Sequence, residues 1–556
     1  MAIQNHELAR WLALVEESYF EYSLGNRESA KKRAISAVKL LNGLANQSSH
    51  PRILKSLSTF SLKHYDELSN SRVSVSDQLL WLSLKLTSLF PPVIHFDDIN
   101  SMDRTFLENE FVETNTAMKM TPPSVNVEFR PFTVEAWVKN PVDFANLYQD
   151  LLPNCSFVSS LLSISSSNID LINNCIVLND SSTVFKVKFF FNGSWRLVLI
   201  NNELPFLPDD PNRNIMVRSL SNANLVWPAL IEKAYLKVMG QGYCFNGSNM
   251  ATDTYMLCGW LPEIVTLKNF ALPQNFKELW ALKKRNRLML GIGTGTISKE
   301  LSNQLQLISN HDYVIEDYDE YSKELVIKNP WVEKDDLKGR LLKLSTNLYF
   351  KYLYINWNPE TYRHKASVNF IVKGALELHK TSQFSLTNPT DQEIDIGLLL
   401  ERHLSSDSND IVIDFQVYQT NRGERVLSSD QYPCKDFGSA TNNRLRYGKL
   451  KMEPHEACTV VVTSSQKSIF TLSVFNNVSD GLVFEKSKNR YSNWVSMEGE
   501  WNITNNGGNW ANSSYIMNPQ YDIELTEKTD VLVALFAEQP DTIVGFHLLN
   551  SDKAHK

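Results

Sequence analysis

The sequence has few cysteines and no apolar stretch long enough to cross a membrane. Its 556 residues include six cysteines, and none falls in a Cys-x-x-Cys or Cys/His spacing, which argues against a disulfide framework and a zinc site. No segment reaches the roughly 18 uninterrupted apolar residues of a membrane span. Residues 1–17 lack the basic and then apolar layout of a signal peptide. We therefore expect free thiols and a cytoplasmic protein without a transmembrane segment.

A basic excess and a calcium loop of the EF-hand type are also missing. The formal net charge is -7, which argues against direct binding to nucleic acid. The spacing Asp-x-Asp-x-Asp-Gly occurs nowhere, and we expect neither a metal nor another cofactor. Apolar residues are plentiful: 43% of the chain is hydrophobic. Its length predicts about three or four domains with packed cores.

Residues 1–90 have the spacing of amphipathic helices. After a Gly25-Asn26 break, apolar residues recur at helical intervals; they are Ala30, Ala34, Ala37, Val38, Leu41 and Leu44. The stretches 53–68 and 79–90 continue the pattern. We predict an N-terminal helical bundle over 1–90, which either is an ordinary structural bundle or docks a partner helix in a groove.

One cysteine stands at the start of a predicted helix. Cys155 precedes the apolar run 157–161, and Gln149 lies upstream. Unpaired amides and the positive end of the helix dipole lower the pKa of a thiol at such a place. The Gln149 amide could donate to a developing oxyanion. The stretch predicts a nucleophilic thiolate, although a buried structural cysteine is the commoner reason for a cysteine there.

A histidine and an asparagine follow at the ends of two predicted strands. His311 begins the first strand and Asn329 follows the second, and both strands are rich in β-branched and aromatic residues. The polar turn between them would place the Asn329 amide beside the His311 imidazole. Cysteine, histidine and asparagine in this chain order are typical of a papain-type triad. We predict a catalytic site of Cys155, His311, Asn329 and Gln149.

Glycines mark two further features of the core. Residues 184–200 alternate toward Asn192-Gly193, which predicts a β-hairpin. The glycine-rich stretch 291–296 lacks the Gly-Lys-Ser/Thr continuation of a phosphate loop. We interpret it as a mobile loop beside the cleft or as simple turn glycines.

Short strand-like runs separated by polar clusters dominate the chain after residue 340. They predict a β-sandwich over 341–480. Residues 520–535 look like residues 383–400, which predicts a second sandwich over 481–556. This second unit is short, so it is either truncated or an atypical final domain.

Together these elements resemble the calpain family of cysteine proteases. The Cys155, His311 and Asn329 elements stand in family order with three further blocks: Trp137-Val138-Lys139-Asn140-Pro141, the run 189–200 with Leu204-Pro205, and the run 227–237. Within the family, the chain is most similar to the fungal PalB-type proteases of the alkaline-pH response. The resemblance implies a multidomain α+β fold, with a papain-like two-lobed core over 91–340 between the helical bundle and the β-sandwich repeats.

The resemblance also implies roles for the site residues and for the whole chain. Cys155 would attack the scissile carbonyl, His311 would transfer the proton, Asn329 would orient the imidazole, and Gln149 would bind the oxyanion with the Cys155 amide. The implied activity is that of an intracellular endopeptidase that performs limited proteolysis of a zinc-finger transcription factor. The implied partners are endosomal sorting complex subunits and an adaptor, bound through a bundle of the microtubule-interacting-and-transport type. These partners would recruit the cytoplasmic protein to endosomal or plasma membrane.

Several positions depart from animal calpains. Ser156 replaces the tryptophan after the nucleophile, Asp312 the small residue after the histidine, and Val332 the glycine after Asn-Pro-Trp. These three leave open a second interpretation, a catalytically inactive scaffold that recruits partners; a transglutaminase-like acyl transfer is a third. Asn201 and Asn202 replace the paired aspartates, and we expect calcium not to be required.

Overall fold

The computed structural model describes residues 27–46, 51–69, 120–131, 144–177, 184–332, 340–491 and 495–529 apart from short gaps, with isolated residues of 11–22 and short stretches of 531–549. The helix predicted over 79–90 and the block at 137–141 lie outside the described residues. None of the described helices has the length and apolar character needed to cross a membrane.

Two packed helices make up most of the described N-terminal region. They are α1, Arg27–Ala45, and α2, Pro51–Ser69. The apolar residues that predicted α1 form its buried face, which confirms the helical spacing; they include Ala30, Ala34, Ala37 and Leu41. The Trp11 indole N–H donates to Ser61 Oγ of α2 at 3.2 Å. A complete bundle over 1–90 stays a prediction, because much of that range lies outside the described residues.

Residues 120–258 combine helices with short antiparallel strands. The helices are α3, Cys155–Ser167; α4, Asp170–Asn173; α5, Trp227–Met239; and α6, Met250–Cys258. The strands are β1, Glu128–Pro131; β2, Leu147–Tyr148; β3, Ile176–Val177; β4, Val184–Phe191; β5, Ser194–Asn201; β6, Glu203–Leu207; β7, Asp210–Asn214; and β8, Arg218–Ser219. The helices and the strands β2, β4, β5 and β6 share one buried apolar cluster, in which Phe157 of α3 and Tyr235 of α5 have ring centroids 4.5 Å apart.

The predicted hairpin is formed by β4 and β5. Their register runs from Val184 opposite Asn201 to Phe191 opposite Ser194. Asn192 and Gly193 have φ values of 51° and 80°, the left-handed pair that a two-residue hairpin turn requires. The structure thus confirms the hairpin.

Residues 261–357 form a six-stranded antiparallel sheet. Its strands are β9, Leu261–Thr266; β10, Leu288–Gly293; β11, Asp312–Asp319; β12, Glu324–Lys328; β13, Leu341–Ser345; and β14, Tyr352–Trp357. Their spatial order is β13-β12-β11-β10-β14-β9. Helix α7, Phe276–Lys284, packs on the sheet, and α8, Lys299–Leu305, lies between β10 and β11 in the chain. Because β13 and β14 pair inside this sheet, the core extends past its predicted end at residue 340.

Two glycines of the 291–296 stretch serve close packing. Gly291 and Gly293 lie in the buried strand β10. A Cβ on Gly293 would stand 2.6 Å from the Tyr354 hydroxyl, and one on Gly291 would collide with the Met250 sulfur. The interpretation as a mobile loop or turn is therefore wrong for these two positions, which let α6 and β14 approach β10.

Residues 364–486 form an antiparallel β-sandwich. Its strands are β15, His364–Gly374; β16, Gln383–Thr387; β17, Ile394–Arg402; β18, Ile413–Thr420; β19, Cys434–Lys435; β20, Leu445–Met452; β21, Ala457–Ser464; β22, Gln466–Asn476; and β23, Val483–Lys486. One sheet has the order β15-β22-β17-β20 and the other β19-β18-β21-β16-β23. Inward-facing residues of both sheets, such as Leu398 and Val460, share one buried cluster.

The residues after 480 are described in part. β23 lies beyond the expected boundary at 480 and pairs with β16 of the first sandwich. The described residues between 487 and 549, which include 520–529 of the stretch that looks like residues 383–400, contain no strand. A short 3-10 helix spans Ser513–Met517. A second sandwich over 481–556 stays a prediction.

Candidate active site

Cys155 is the first residue of α3, as the sequence predicted. The side chain of the preceding Asn154 does not cap the helix: its amide nitrogen donates to the buried carboxyl of Glu232 in α5, and its amide oxygen has no hydrogen-bond partner among the described residues. The other carboxyl oxygen of Glu232 accepts the Val217 N–H at 2.6 Å. Asn154 and Glu232 are both buried. This network fixes the start of α3, and with it the backbone of Cys155, against α5.

The pKa of the Cys155 thiol is raised to about 12, which is opposite to the predicted direction. Burial is the largest cause, followed by the charge of Asp312, and Asp253 adds a smaller rise. The backbone amides of Asp312 and Ser156 act the other way. Amides at the helix start do favour the thiolate, but desolvation and two carboxyl groups outweigh them. In this arrangement Cys155 is a protonated thiol at neutral pH.

His311 and Asn329 form a buried hydrogen-bonded pair. His311 Nε2 and Asn329 Oδ1 are 2.8 Å apart. The same oxygen accepts the Trp331 backbone N–H at 2.9 Å, which identifies it as the amide oxygen. Nε2 must therefore carry the proton, and Nδ1 is left as the basic nitrogen. Burial lowers the pKa of His311 to about 4, while the bond to Asn329 acts in the opposite direction.

The β11–β12 hairpin explains why these two residues meet. His311 immediately precedes β11 and Asn329 immediately follows β12, and the strands pair antiparallel with Val314 opposite Lys328. On the other side of β12, the Asn329 N–H extends the pairing with β13 by donating to the Arg340 carbonyl at 2.7 Å. The two side chains are 18 residues apart in sequence and adjacent at the open end of one hairpin.

Gln149 lies beside the asparagine element. Its backbone N–H donates to the Pro330 carbonyl at 2.8 Å, and it forms an isolated parallel bridge with Trp331. Its side-chain Nε2 donates to the Leu152 carbonyl at 2.7 Å. An amide nitrogen has two hydrogens, so this bond holds the side chain in place and leaves a second N–H.

Helix α3 and strand β11 bring the cysteine and histidine elements onto adjoining parts of the fold. Ser159 Oγ, one helical turn after Cys155, donates to the Asp312 carbonyl at 3.0 Å across 153 residues of sequence. Asp312 directly follows His311. In the described structure, Cys155 Sγ makes no hydrogen bond to the His311 ring. The site thus combines a neutral thiol with a neutral imidazole.

Asp312 has a larger part in the site than the sequence analysis gave it. Its Oδ2 accepts the Met250 N–H at the start of α6, at 2.9 Å. Burial raises the pKa of this carboxyl to about 7, although the Tyr354 hydroxyl and the Met250 amide lower it. A signal was present in the sequence: an acidic residue that opens the apolar strand 313–315 must find buried donors. Its effect on Cys155 depends on residues far apart in the chain.

A cysteine at a helix start, with a histidine–asparagine pair on an adjoining antiparallel hairpin, is the arrangement of a papain-type cysteine protease. Residues 122–346 match the calpain family cysteine proteases, and residues 377–486 match the RIM13 second calpain-like domain. The chain belongs to the calpain family, in the group of calpain-like proteases that carry the PalB/RIM13 name.

Similarity to two of these relatives extends over almost the entire chain. The calpain-like protease palB/RIM13 of Debaryomyces hansenii is 40% identical over 99% of this chain and 74% of its own length. The protein of the same name from Candida albicans is 39% identical over 98% of this chain and 73% of its own length. The calpain-like protease palB of Emericella nidulans is 31% identical over 72% of this chain and 52% of its own length.

A lysine lies against the position where Asn201 replaces one of the paired aspartates of animal calpains. Lys233 Nζ of α5 donates to the Asn201 side-chain oxygen, to the Asn201 carbonyl at 3.3 Å and to the Glu203 carbonyl. Oxygens that could coordinate a cation are thus bound to an ammonium group. No group of three or more His, Cys, Asp or Glu side chains placed to hold a metal occurs among the described residues. The residues at 201–203 do not fit a calcium ion.

Proposed function

We propose that this chain is a cysteine endopeptidase in which Cys155 is the nucleophile and His311 the general base and acid. The carrying observation is the 2.8 Å bond between His311 Nε2 and Asn329 Oδ1, because it leaves Nδ1 as an acceptor. Nδ1 takes the Cys155 thiol proton as sulfur attacks the scissile carbonyl, and it returns that proton to the leaving amine. Water then hydrolyses the thioester and regenerates the thiol.

The oxyanion is bound by two N–H groups in this proposal. The Cys155 backbone amide is the first of α3 and has no partner within the helix. The second donor is the remaining N–H of Gln149, whose other N–H is held by Leu152. Preorganised donors of this kind contribute about 10²–10³ in rate.

The raised pKa of Cys155 and the lowered pKa of His311 predict the resting state. Both groups are neutral at physiological pH, so the proton moves only as the sulfur attacks. A substrate that displaces or rearranges the groups around Cys155 then completes the site. This distinguishes the proposal from a preformed thiolate–imidazolium pair.

Substitutions test these roles directly. Cys155→Ala and His311→Ala should abolish cleavage of an unfolded protein substrate, whereas Asn329→Ala should lower kcat by about 100-fold and leave measurable activity. Cys175→Ala is the matched control, because Cys175 is also a buried thiol whose pKa is raised to about 12 by burial. Cleavage that persists in Cys155→Ala would end the protease assignment. A wild-type protein that neither cleaves nor reacts with a cysteine electrophile at Cys155 would instead be the inactive scaffold.

For the whole protein, the proposed function is limited proteolysis of a zinc-finger transcription factor in the fungal alkaline-pH response. The support is the PalB/RIM13 name of relatives that match 98–99% of this chain. The N-terminal helices would bind endosomal sorting complex subunits and an adaptor, and the protein would work in the cytoplasm at the membranes where those partners assemble. The test is whether a strain with Cys155→Ala at the native locus fails to process the factor at alkaline pH.

Calcium independence completes the proposal. Its support is the ammonium of Lys233 bound to oxygens of Asn201 and Glu203. Because the Lys233 ammonium already supplies a positive charge to these oxygens, no calcium ion is needed beside residues 201–203.

A further inference from the structure

A cavity of about 390 Å³ with a mixed polar and apolar lining lies where the protease core meets the β-sandwich. The core contributes Ser248, Asn249 and Tyr352 to its lining, and the sandwich contributes Arg402, Asn443 and Arg444. None of the four proposed catalytic residues lines it. The volume falls in the range of sites for small molecules.

Two buried arginines line this cavity and lack part of their hydrogen-bond partners. Arg402 and Arg444 are only 6% and 8% exposed. Among the described residues, Arg402 Nε and both Nε and Nη2 of Arg444 have no hydrogen-bond partner. The Arg402 N–H donates to the Arg444 carbonyl at 2.9 Å, so the two side chains start from adjacent strands. Buried charged donors without acceptors are unfavourable.

The carboxyl groups nearby do not supply the missing acceptors. Glu401 is already bonded by four donors at 2.7 to 3.0 Å: the Asn192 and Gly193 N–H groups, Arg444 Nη1 and the Tyr255 hydroxyl. Asp253 of α6 is close enough to Arg444 for its pKa to be affected, but it accepts the Tyr235 hydroxyl and no arginine. Burial, and then the charge of Arg444, lower the pKa of Arg402. Positive charge is therefore in excess on the sandwich side of the cavity.

We propose that this cavity binds a small soluble oxyanion, a phosphate or a phosphate ester, with Arg402 and Arg444 as its charged ligands. Planar guanidinium groups match the geometry of phosphate oxygens. The two terminal nitrogens of Arg402 make no hydrogen bond among the described residues and are not among the enclosed atoms, so they are the donors that a phosphate would meet, while Arg444 contributes its charge. The amides of Asn249 and Asn443 offer further donors. The cavity reaches solvent at the exposed Ser248, which admits a soluble anion. Its recessed position between two domains disfavours a lipid headgroup held in a bilayer.

The test uses the full chain in a phosphate-free buffer. Isothermal titration with inorganic phosphate and with glycerol phosphate should show saturable binding, and saturating phosphate should raise Tm by about 2 °C over sodium chloride of equal ionic strength. Vesicles with anionic lipid form a separate arm. Binding to vesicles without binding to either soluble phosphate would overturn the proposal, as would equal effects of phosphate and chloride on the wild type.

Arg402→Met identifies the site. Its side chain makes no hydrogen bond or ion pair among the described residues, so without phosphate the variant should be as stable as the wild type or more so, because an uncompensated buried charge is removed. The phosphate-dependent rise in Tm should be lost.

Arg446→Met is the matched control. Arg446 is a buried arginine that pairs with Asp414 at 2.8 Å and does not line the cavity. This variant should lose stability and keep the phosphate response. A full phosphate response in Arg402→Met would refute the assignment of the site. If Arg402→Met does not fold, Arg402→Lys takes its place, and weakened phosphate binding is expected for that variant.

Discussion

Replacing Asp312 with asparagine removes a buried negative charge next to Cys155. After burial, this charge is the largest cause of the raised thiol pKa, and asparagine keeps an oxygen for the Met250 N–H. A single charge within a protein shifts a neighbouring pKa by about one to two units, each unit corresponding to about 1.4 kcal/mol. We expect Asp312→Asn to lower the Cys155 pKa by about one unit, which raises the thiolate fraction about tenfold at neutral pH.

The size of this effect depends on pH, because burial raises the pKa of Asp312 itself to about 7. Below about pH 6 the wild-type carboxyl is protonated and uncharged, so the wild type and the variant should react at the same rate. As pH rises through about 7 the carboxyl ionises and begins to oppose the thiolate. The variant should then become faster, and the ratio of the two rates should reach its full value above about pH 8.

The assay is the rate of iodoacetamide alkylation at Cys155 across this pH range. It is followed by mass spectrometry of the peptide that contains Cys155, because Cys244 and Cys434 are exposed and react as well. Asp253→Asn should give a smaller acceleration, since Asp253 is the weakest cause of the raised pKa. A rate ratio that is constant with pH, or a slower reaction in Asp312→Asn, would refute the electrostatic account.

Three further predictions follow from other parts of the structure. Peptide cleavage should survive a calcium chelator, because Lys233 binds the oxygens at Asn201 and Glu203. A requirement for micromolar to millimolar calcium would show that other oxygen ligands in the chain bind the ion. Deleting residues 1–90 should leave peptide cleavage nearly unchanged and reduce processing of the physiological substrate in cells. The reason is that docking raises the effective concentration of the substrate at the protease. Unchanged cellular processing would leave the helices with a structural role. Asn154→Ala should lower the free energy of unfolding by about 1–3 kcal/mol, because the buried Glu232 carboxyl loses a hydrogen-bond donor. Urea titration measures this change, and an unchanged midpoint would show that α3 is anchored by other contacts.

The sequence predicted best those features that depend on residues close together in the chain. The β4–β5 hairpin follows from the Asn192-Gly193 turn, whose backbone geometry few other residue pairs adopt. The meeting of His311 with Asn329 follows from two strands joined by a short turn. In both cases alternation and turn chemistry fix the register locally.

Features that depend on distant segments could not be predicted in the same way. The lowered thiol pKa expected for a helix start is wrong because the folded chain buries Cys155 and, in second place, brings the charge of Asp312 against it from far away in the sequence. The turn expected at Gly291 and Gly293 is instead a strand in contact with Met250 and Tyr354. Spacing along the chain says which residues share an element, but it does not say which elements desolvate one another.

The bond between the Gln149 N–H and the Pro330 carbonyl has a consequence for synthesis of the protein. Translation runs from the N-terminus, so Cys155 leaves the ribosome long before His311, Asn329 and Trp331 exist. The proposed oxyanion donor is positioned by a segment made after both the thiol and the base. A ribosome-bound nascent chain therefore has no assembled site with which to cut itself or its neighbours. In the proposed mechanism, peptide-bond cleavage becomes possible only when the Pro330-Trp331 segment has been made and has folded back onto Gln149.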